Sequence, residues 1–321
     1  MIAAYSVRLV ILCFASFFLI HLALGLLSLG LFPLLVRASR SVRPQGVSSI
    51  SIFMRLAPAC LSILLVMAVC VPSYLRYERN TTTEEIGLLC LVLACFGLLI
   101  CLVALTKAAR AIIQSALLSR KLSTSEDSRS WHLNEEVDEL RSMCLVGLFR
   151  SRVVVSPSVL KTLTPEQFQA ALDHEQAHRS SCDNVKRLLI ILAPDLLPFT
   201  HSFRAIENLW ERAAELSADD RATRGRLNRS IALAEALIKL ARLERSQTLA
   251  PLVSGLFSTP GSLTLRVERL LQQPNPATKI PQASTAPIWS GLFLLLVTSA
   301  FLFPHLRVLQ AAYYLLESLL R

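Results

Sequence analysis

The chain has 321 residues, 53% of them hydrophobic and only 17% charged, with a formal net charge of +10. Soluble domains carry about 25% charged residues, so this composition excludes both a simple soluble protein and a disordered one. Its eight cysteines contain no C-x-x-C pair and lie mostly inside apolar runs, which excludes a zinc ribbon and a disulfide framework.

A helix needs about 20 apolar residues to cross a hydrocarbon core of roughly 30 Å. Four stretches meet that length and predict spans over about 9–36, 56–75, 86–106 and 286–306. The first is too long for the 7–15-residue core of a signal peptide and lacks a clear small-x-small cleavage site, so it reads as a permanent span. The loop after it holds Arg37, Arg40, Arg43 and Arg55 and no acid. The loop after the second mixes Arg76 and Arg79 with Glu78, Glu84 and Glu85, and the third span exits into Lys107, Arg110, Arg120 and Lys121. Basic residues stay on the cytoplasmic side, which puts the first loop and the long segment after span three inside and both termini outside. Asn80-Thr81-Thr82 falls in the outer loop, where such a triplet carries no weight by itself.

The organisation that follows is 1–122 for three spans, 123–279 for a cytoplasmic domain, and 280–321 for a fourth span with a short external tail. The domain opens on a polar linker, Ser123 to Ser130, then an acidic helical piece around Glu135 to Arg141. Leu145 to Val155 reads as short β-branched strands, stopped by Ser156-Pro157. Thr164-Pro165-Glu166-Gln167 is a helix start: Thr as N-cap, Pro at the first helical position, Gln closing a capping box. Leu188 to Phe203 is apolar but holds Asp195, Pro194 and Pro198. It reads equally as a buried helix of the domain or as a helix or re-entrant hairpin dipping into the membrane face, and less readily as a full crossing. Helices follow over Phe203 to Arg224, Leu227 to Arg245 and Leu263 to Leu271. The fold class expected is mainly α: a polytopic membrane protein with four transmembrane helices and a cytoplasmic α+β domain with a small sheet.

The residues that carry chemistry are His174-Glu175-Gln176-Ala177-His178. Histidines at i and i+4 share one helix face, so their imidazoles can converge on one ion. Zinc takes imidazole nitrogen at about 2.0–2.1 Å and keeps one place open for water, whose pKa it lowers toward about 7. Glu175 is placed to act as general base. A third protein ligand can come from Glu207, Glu211, Glu215 and Asp219, an acidic stripe at i+4 steps. Spacing alone does not separate Glu211 from Glu215, and Glu207 reads as a solvated acid pairing with Arg204, Arg212 and Arg221. Asp219 suits a bond to the free N–H of a liganding histidine. Asp183 reads as a brace for the site helix, and His201 or Arg204 as a donor to a developing oxyanion. Trp210 reads as a core or interface residue.

The motif at His174, followed by Glu215-Leu216-Ser217-Ala218-Asp219-Asp220, resembles the gluzincin arrangement H-E-x-x-H then E-x-x-x-D. It is most similar to the BlaR/MecR-type integral-membrane zinc metallopeptidases. Gly147-Leu148-Phe149-Arg150, Val153-Val154-Val155, Asp183-Asn184 and Arg266-Val267-Glu268-Arg269-Leu270-Leu271 extend the likeness over roughly 145–271. The resemblance implies a zincin-like domain with Zn2+ on His174, His178 and Glu215, Glu175 as base, and Asp219 as partner of a ligand. Antibiotic-sensing members carry an external sensor domain after the fourth span, and here only about 15 residues follow Arg307, so direct β-lactam sensing is not expected. Ser151 stands where the family often has Pro, beside an expected edge strand that would bind substrate in extended form.

The function expected is a zinc endopeptidase cutting a protein at the cytoplasmic membrane face, in signalling or regulated proteolysis. Its substrate would be a transcriptional regulator, another membrane protein or the chain itself. The alternatives are a non-catalytic signalling or scaffold protein with a retired protease domain, and a quality-control protease of the HtpX type. The lipid bilayer is an expected partner; nucleic acid is not, because the basic residues cluster at span ends where anionic lipid accounts for them.

Overall fold

A computed structural model describes residues 2–77, 86–121, 131–133, 143–148, 151–243, 254–255, 262–272 and a few positions beyond 308. The described residues are mostly helical, with a small sheet. The expected linker at 123–130, the helical piece at 135–141, the triplet at Asn80 and the fourth span at 286–306 lie outside them.

Among the described residues, three helices are long and apolar enough to cross a membrane: Tyr5–Ala38, Pro44–Tyr77 and Leu88–Leu117. The first belongs to α1 (Ile2–Ala38), and the third to α4 (Leu88–Lys121). The second is compound: α2 (Pro44–Leu65) runs through a π turn at Val66–Cys70 into α3 (Val71–Tyr77). Pro72 lacks an N–H and crowds the carbonyl four residues back, so a widened turn just before it relieves the clash. Helix α2 starts twelve residues before the expected span, at Pro44, where proline occupies the first helical turn. Arg55 therefore lies inside a helix, not in a loop.

The other half of the molecule packs a sheet, order β1-β3-β2-β4, against helices. Strands β2 (Met143–Val146) and β3 (Arg152–Val155) pair antiparallel, Met143 opposite Val155. Strand β1 (Trp131–Leu133) joins β3 in parallel, and β4 (Ser254–Gly255) joins β2. Strand β3 is thus interior, flanked on both sides, and the expectation of an edge there is corrected: 131–133 takes the free side. After β3 come α5 (Pro157–Thr162) and α6 (Pro165–Ser180), the latter opening on the expected capping box between Thr164 and Gln167. Next are α7 (Asp183–Leu192), α8 (Arg204–Thr223), α9 (Leu227–Leu243) and α10 (Ser262–Leu271). Arg224 and Gly225 take left-handed backbone and end α8.

Helix α6 is amphipathic in an unusual sense. Ala170, Ala171 and Leu172 enter a core with Val153 and Val155 of the sheet and Leu233 and Leu237 of α9. His174, Glu175 and His178, which follow, are equally buried, and the two histidines face α8 and α7. Gln167 adds a tie to α9, donating to Glu235 at 2.6 Å and accepting from Lys239 at 2.8 Å.

Helices α7 and α8 also pack on the membrane helices. Trp210 of α8 is 1% exposed and sits with Ile52 of α2 and Ile190 of α7. The stretch 188–203 is not a crossing: α7 ends at Leu192, and the chain then loops to α8 against α1 and α2 through Leu196 and Phe203. On α1, Gly25 makes room for that loop, since a Cβ there would run into Leu196.

Candidate metal centre

One side of α6 carries His174, Glu175 and His178, all at 2% exposure or less. Buried imidazoles and carboxylates need partners, because desolvation without them costs several kcal/mol. Each histidine commits its Nδ1 to a carboxylate. Asp219 Oδ1 lies 2.9 Å from Nδ1 of His174, and Asp183 Oδ2 lies 2.7 Å from Nδ1 of His178. The Nε2 atoms are left facing each other at 3.1 Å. Glu215, reaching in from α8, brings Oε2 within 3.5 Å of His174 Nε2 and Oε1 within 3.5 Å of His178 Nε2.

These three side chains could hold a cation between them, with one ligand atom of each within 4.8 Å of the others. Tetrahedral zinc with nitrogen at about 2.0–2.1 Å puts neighbouring ligand atoms about 3.3–3.4 Å apart. Histidines 174 and 178 and Glu215 form the group of metal-capable side chains found among the described residues. Glu211, which spacing could not separate from Glu215, is not among them.

The charge balance points the same way. Glu175, Asp183, Glu215 and Asp219 are four buried carboxylates, against the buried guanidinium of Arg266 and the Lys186 ammonium that holds Asp183 at 2.8 Å. With all four ionised, two positive charges are wanting, which one divalent cation supplies. Burial would lower the His178 imidazole, but Glu215 and the Asp183 hydrogen bond outweigh it and lift it to about 10. His174 is also raised, burial being outweighed by its bonds to Asp219 and Glu215. In the ion's absence the two rings take up the protons that it would displace. Burial would raise Glu215 and Asp219, but His178 and Arg266 hold Glu215 well below the carboxylate range, and Arg266 and His174 bring Asp219 to about 2.

Glu175 differs from its neighbours. Neither of its carboxylate oxygens has a hydrogen-bond partner among the described residues. Burial lifts its carboxyl to about 7, against the pull of the two histidines. A buried carboxyl with open lone pairs and a pKa near neutrality is what proton transfer requires.

Arg266 is the member that sequence reasoning missed. It is 2% exposed, grips Asp219 through Nε at 2.8 Å and Nη2 at 2.7 Å, and reaches Glu215 Oε2 at 3.0 Å. Its fork fixes both carboxylates of α8 at once. The signal available was the Arg266-to-Leu271 segment, noted only as likeness. Asn184 is a second such residue: its amide donates to the carbonyls of Leu145 at 3.3 Å and Gly147 at 2.8 Å, tying α7 to the end of β2.

The structure does not bring His201 or Arg204 to this cluster. Both are exposed and line a cavity of about 190 Å³ at the membrane junction, with Lys107 and Asp195. Glu207 is not a solvated acid paired along its own helix. Nε of Arg55 donates to it at 2.7 Å.

The profile of a family described as BlaR1 peptidase M56 matches residues 52–270, about two thirds of the chain. The match begins three residues before Arg55, within α2, and ends at Leu270, so it takes in membrane helices as well as the buried cluster. No curated protein matches the chain.

Proposed function

Because the chain belongs to the family of BlaR1 M56 peptidases, and so is a metal-dependent membrane peptidase, we propose that it is a zinc endopeptidase cutting a protein substrate at the cytoplasmic membrane face. The observation that carries this reading is the triangle of His174, His178 and Glu215, with the unpartnered Glu175 beside it. Two imidazoles and one carboxylate are a donor set that suits zinc.

Each residue then has a task. His174 and His178 bind through Nε2, their rings oriented by Asp219 and Asp183. Glu215 supplies the third donor and is steadied by Arg266. Zinc, when bound, polarises the scissile carbonyl and acidifies a water. Glu175 accepts a proton from the attacking water on a carboxylate oxygen. It then passes that proton to the departing amide nitrogen as the C–N bond breaks, which restores its own charge. Burial of these side chains keeps bulk water from competing for the proton.

Orientation rests on charge. Arg37 lies in the last turn of the first membrane helix, Arg40 and Arg43 follow it, and Arg110 and Arg120 lie near the end of α4. Basic residues at those ends put the sheet, α6 and α8 on the cytoplasmic side and the N-terminus outside. A fourth span at 286–306 returns the C-terminus outside. A transcriptional regulator or a segment of this same chain meets the enzyme on that face.

Comparative proteomics of cells carrying wild type or Glu175→Gln tests the proposal. An uncut protein that accumulates only in the variant is the expected result. Identical protein and fragment patterns contradict it and favour a scaffold that no longer cleaves.

A further inference from the structure

The α7–α8 pair carries the metal centre at one end and meets the membrane helices at the other. Asp183, which orients His178, starts α7; Glu215 and Asp219 lie in the second half of α8. At the opposite end of both helices stands one side chain of α2. Arg55 is 3% exposed. Its Nη2 donates to the carbonyls of Ile190 at 3.2 Å and Ala193 at 2.7 Å, its Nη1 to Pro194 at 3.1 Å, and its Nε to Glu207 at 2.7 Å. The guanidinium lies 4.7 Å over the Phe203 ring. Lys107 of α4 adds a contact to Asp195 at 3.5 Å.

A guanidinium this buried costs several kcal/mol in lost hydration, offset only by partners with good geometry. Four hydrogen bonds meet that need, and they go to the C-terminal end of α7 with the two residues after it, and to α8. The carbonyls of Ile190 and Ala193 belong to the C-terminal end of α7, which has no further turn to satisfy them. Glu207 lies eight residues before Glu215, a separation of about 12 Å along α8. Ile190 lies seven residues after Asp183, about 10 Å along α7. Both segments are uninterrupted α-helix over that span and can act as rods.

We propose that Arg55 is a positioning residue: from a membrane helix it sets the spacing of α7 against α8, and through them the carboxylates that orient and complete the His174–His178–Glu215 site. The inference rests on the metal-centre reading. A shift of α2 at Arg55 moves the far ends of the two rods, so membrane state and metal affinity are coupled.

The experiment measures zinc affinity by chelator competition on the full chain in nanodiscs, for wild type, Arg55→Lys, Arg55→Gln and Glu207→Gln. Residues bearing on the orientation of metal ligands typically change affinity by about 10–100-fold when removed, and Arg55 acts one step further out. Zinc binding is expected to weaken at least tenfold in Arg55→Gln and at least threefold in Glu207→Gln. Arg55→Lys falls between, keeping the charge but not the fork. Hydrogen exchange supplies the reciprocal readout required by linkage: zinc slows exchange over 190–195 in wild type and not in Arg55→Gln. A purely structural arginine would leave that zinc response in place. Affinities within threefold of wild type in both Arg55→Gln and Glu207→Gln overturn the proposal. Should Arg55→Gln fail to fold, Glu207→Gln decides alone. A wild type that binds no zinc defeats the metal-centre reading itself, an outcome distinct from wild type and variants binding equally.

Discussion

Two clusters of paired charge, each built round a buried arginine, sit at opposite ends of α7 and α8, and they differ in balance. At the membrane end, Arg55 and Lys107 pair with Asp195 and Glu207, so the formal charge of these four closes to zero. At the other end, four carboxylates face one guanidinium and one ammonium, and it does not close. A balanced cluster is complete and serves as a joint. An unbalanced one, with two imidazole nitrogens 3.1 Å apart, could hold a cation. Buried charge by itself marks neither; the residual charge distinguishes them.

The largest expected effect breaks the chemistry and leaves both clusters standing. Glu175→Gln should lower the cleavage rate by about 10²–10⁴-fold, with metal content unchanged, as read by peptide hydrolysis and metal analysis on the same sample. Next comes the joint. Trp210→Ala empties the α2–α7–α8 contact and should cost about 3–5 kcal/mol, measured by denaturant unfolding in detergent. At the metal end, Asp219→Asn removes the charge that Arg266 grips and one of the two oxygens shared between Arg266 and His174, and should weaken zinc binding by about 10–100-fold. Acid sharpens the contrast further. With His178 raised to about 10 in the ion's absence, zinc must displace its proton at neutral pH. Zinc affinity should therefore fall by about tenfold per proton released for each pH unit of acidification, as isothermal titration at several pH values would read. The smallest effect belongs to Asp173→Asn at the partly exposed pair with Arg229, within about 1 kcal/mol in the same unfolding assay.

Much of the metal centre was legible because its signals are local. The capping box fixes where α6 begins, and the i, i+4 spacing then puts both histidines on one side. Glu215 needed the family resemblance, since the stripe from Glu207 to Asp219 offers several acids at equal spacing. The structure divides that stripe by burial: Glu207 goes to Arg55, while Glu215 and Asp219 face α6 and α10. What was not legible is tertiary. Arg266 lies 47 residues beyond Asp219, and nothing near it announces a partner. Arg55 was counted with the loop cations because the charge rule reads neighbours, not helix boundaries. Pro44 was the local sign that the helix had already begun. His201 looked available as a donor because it lies between the two site helices in sequence, but its loop turns toward the membrane instead.

Metal analysis of the purified full chain tests the central claim most directly, comparing wild type with His174→Ala and Glu215→Ala. The expected result is one zinc per wild-type chain, lost in His174→Ala and sharply reduced in Glu215→Ala, with all three proteins folded. Wild type without stoichiometric metal, or variants that keep a full complement, would contradict it.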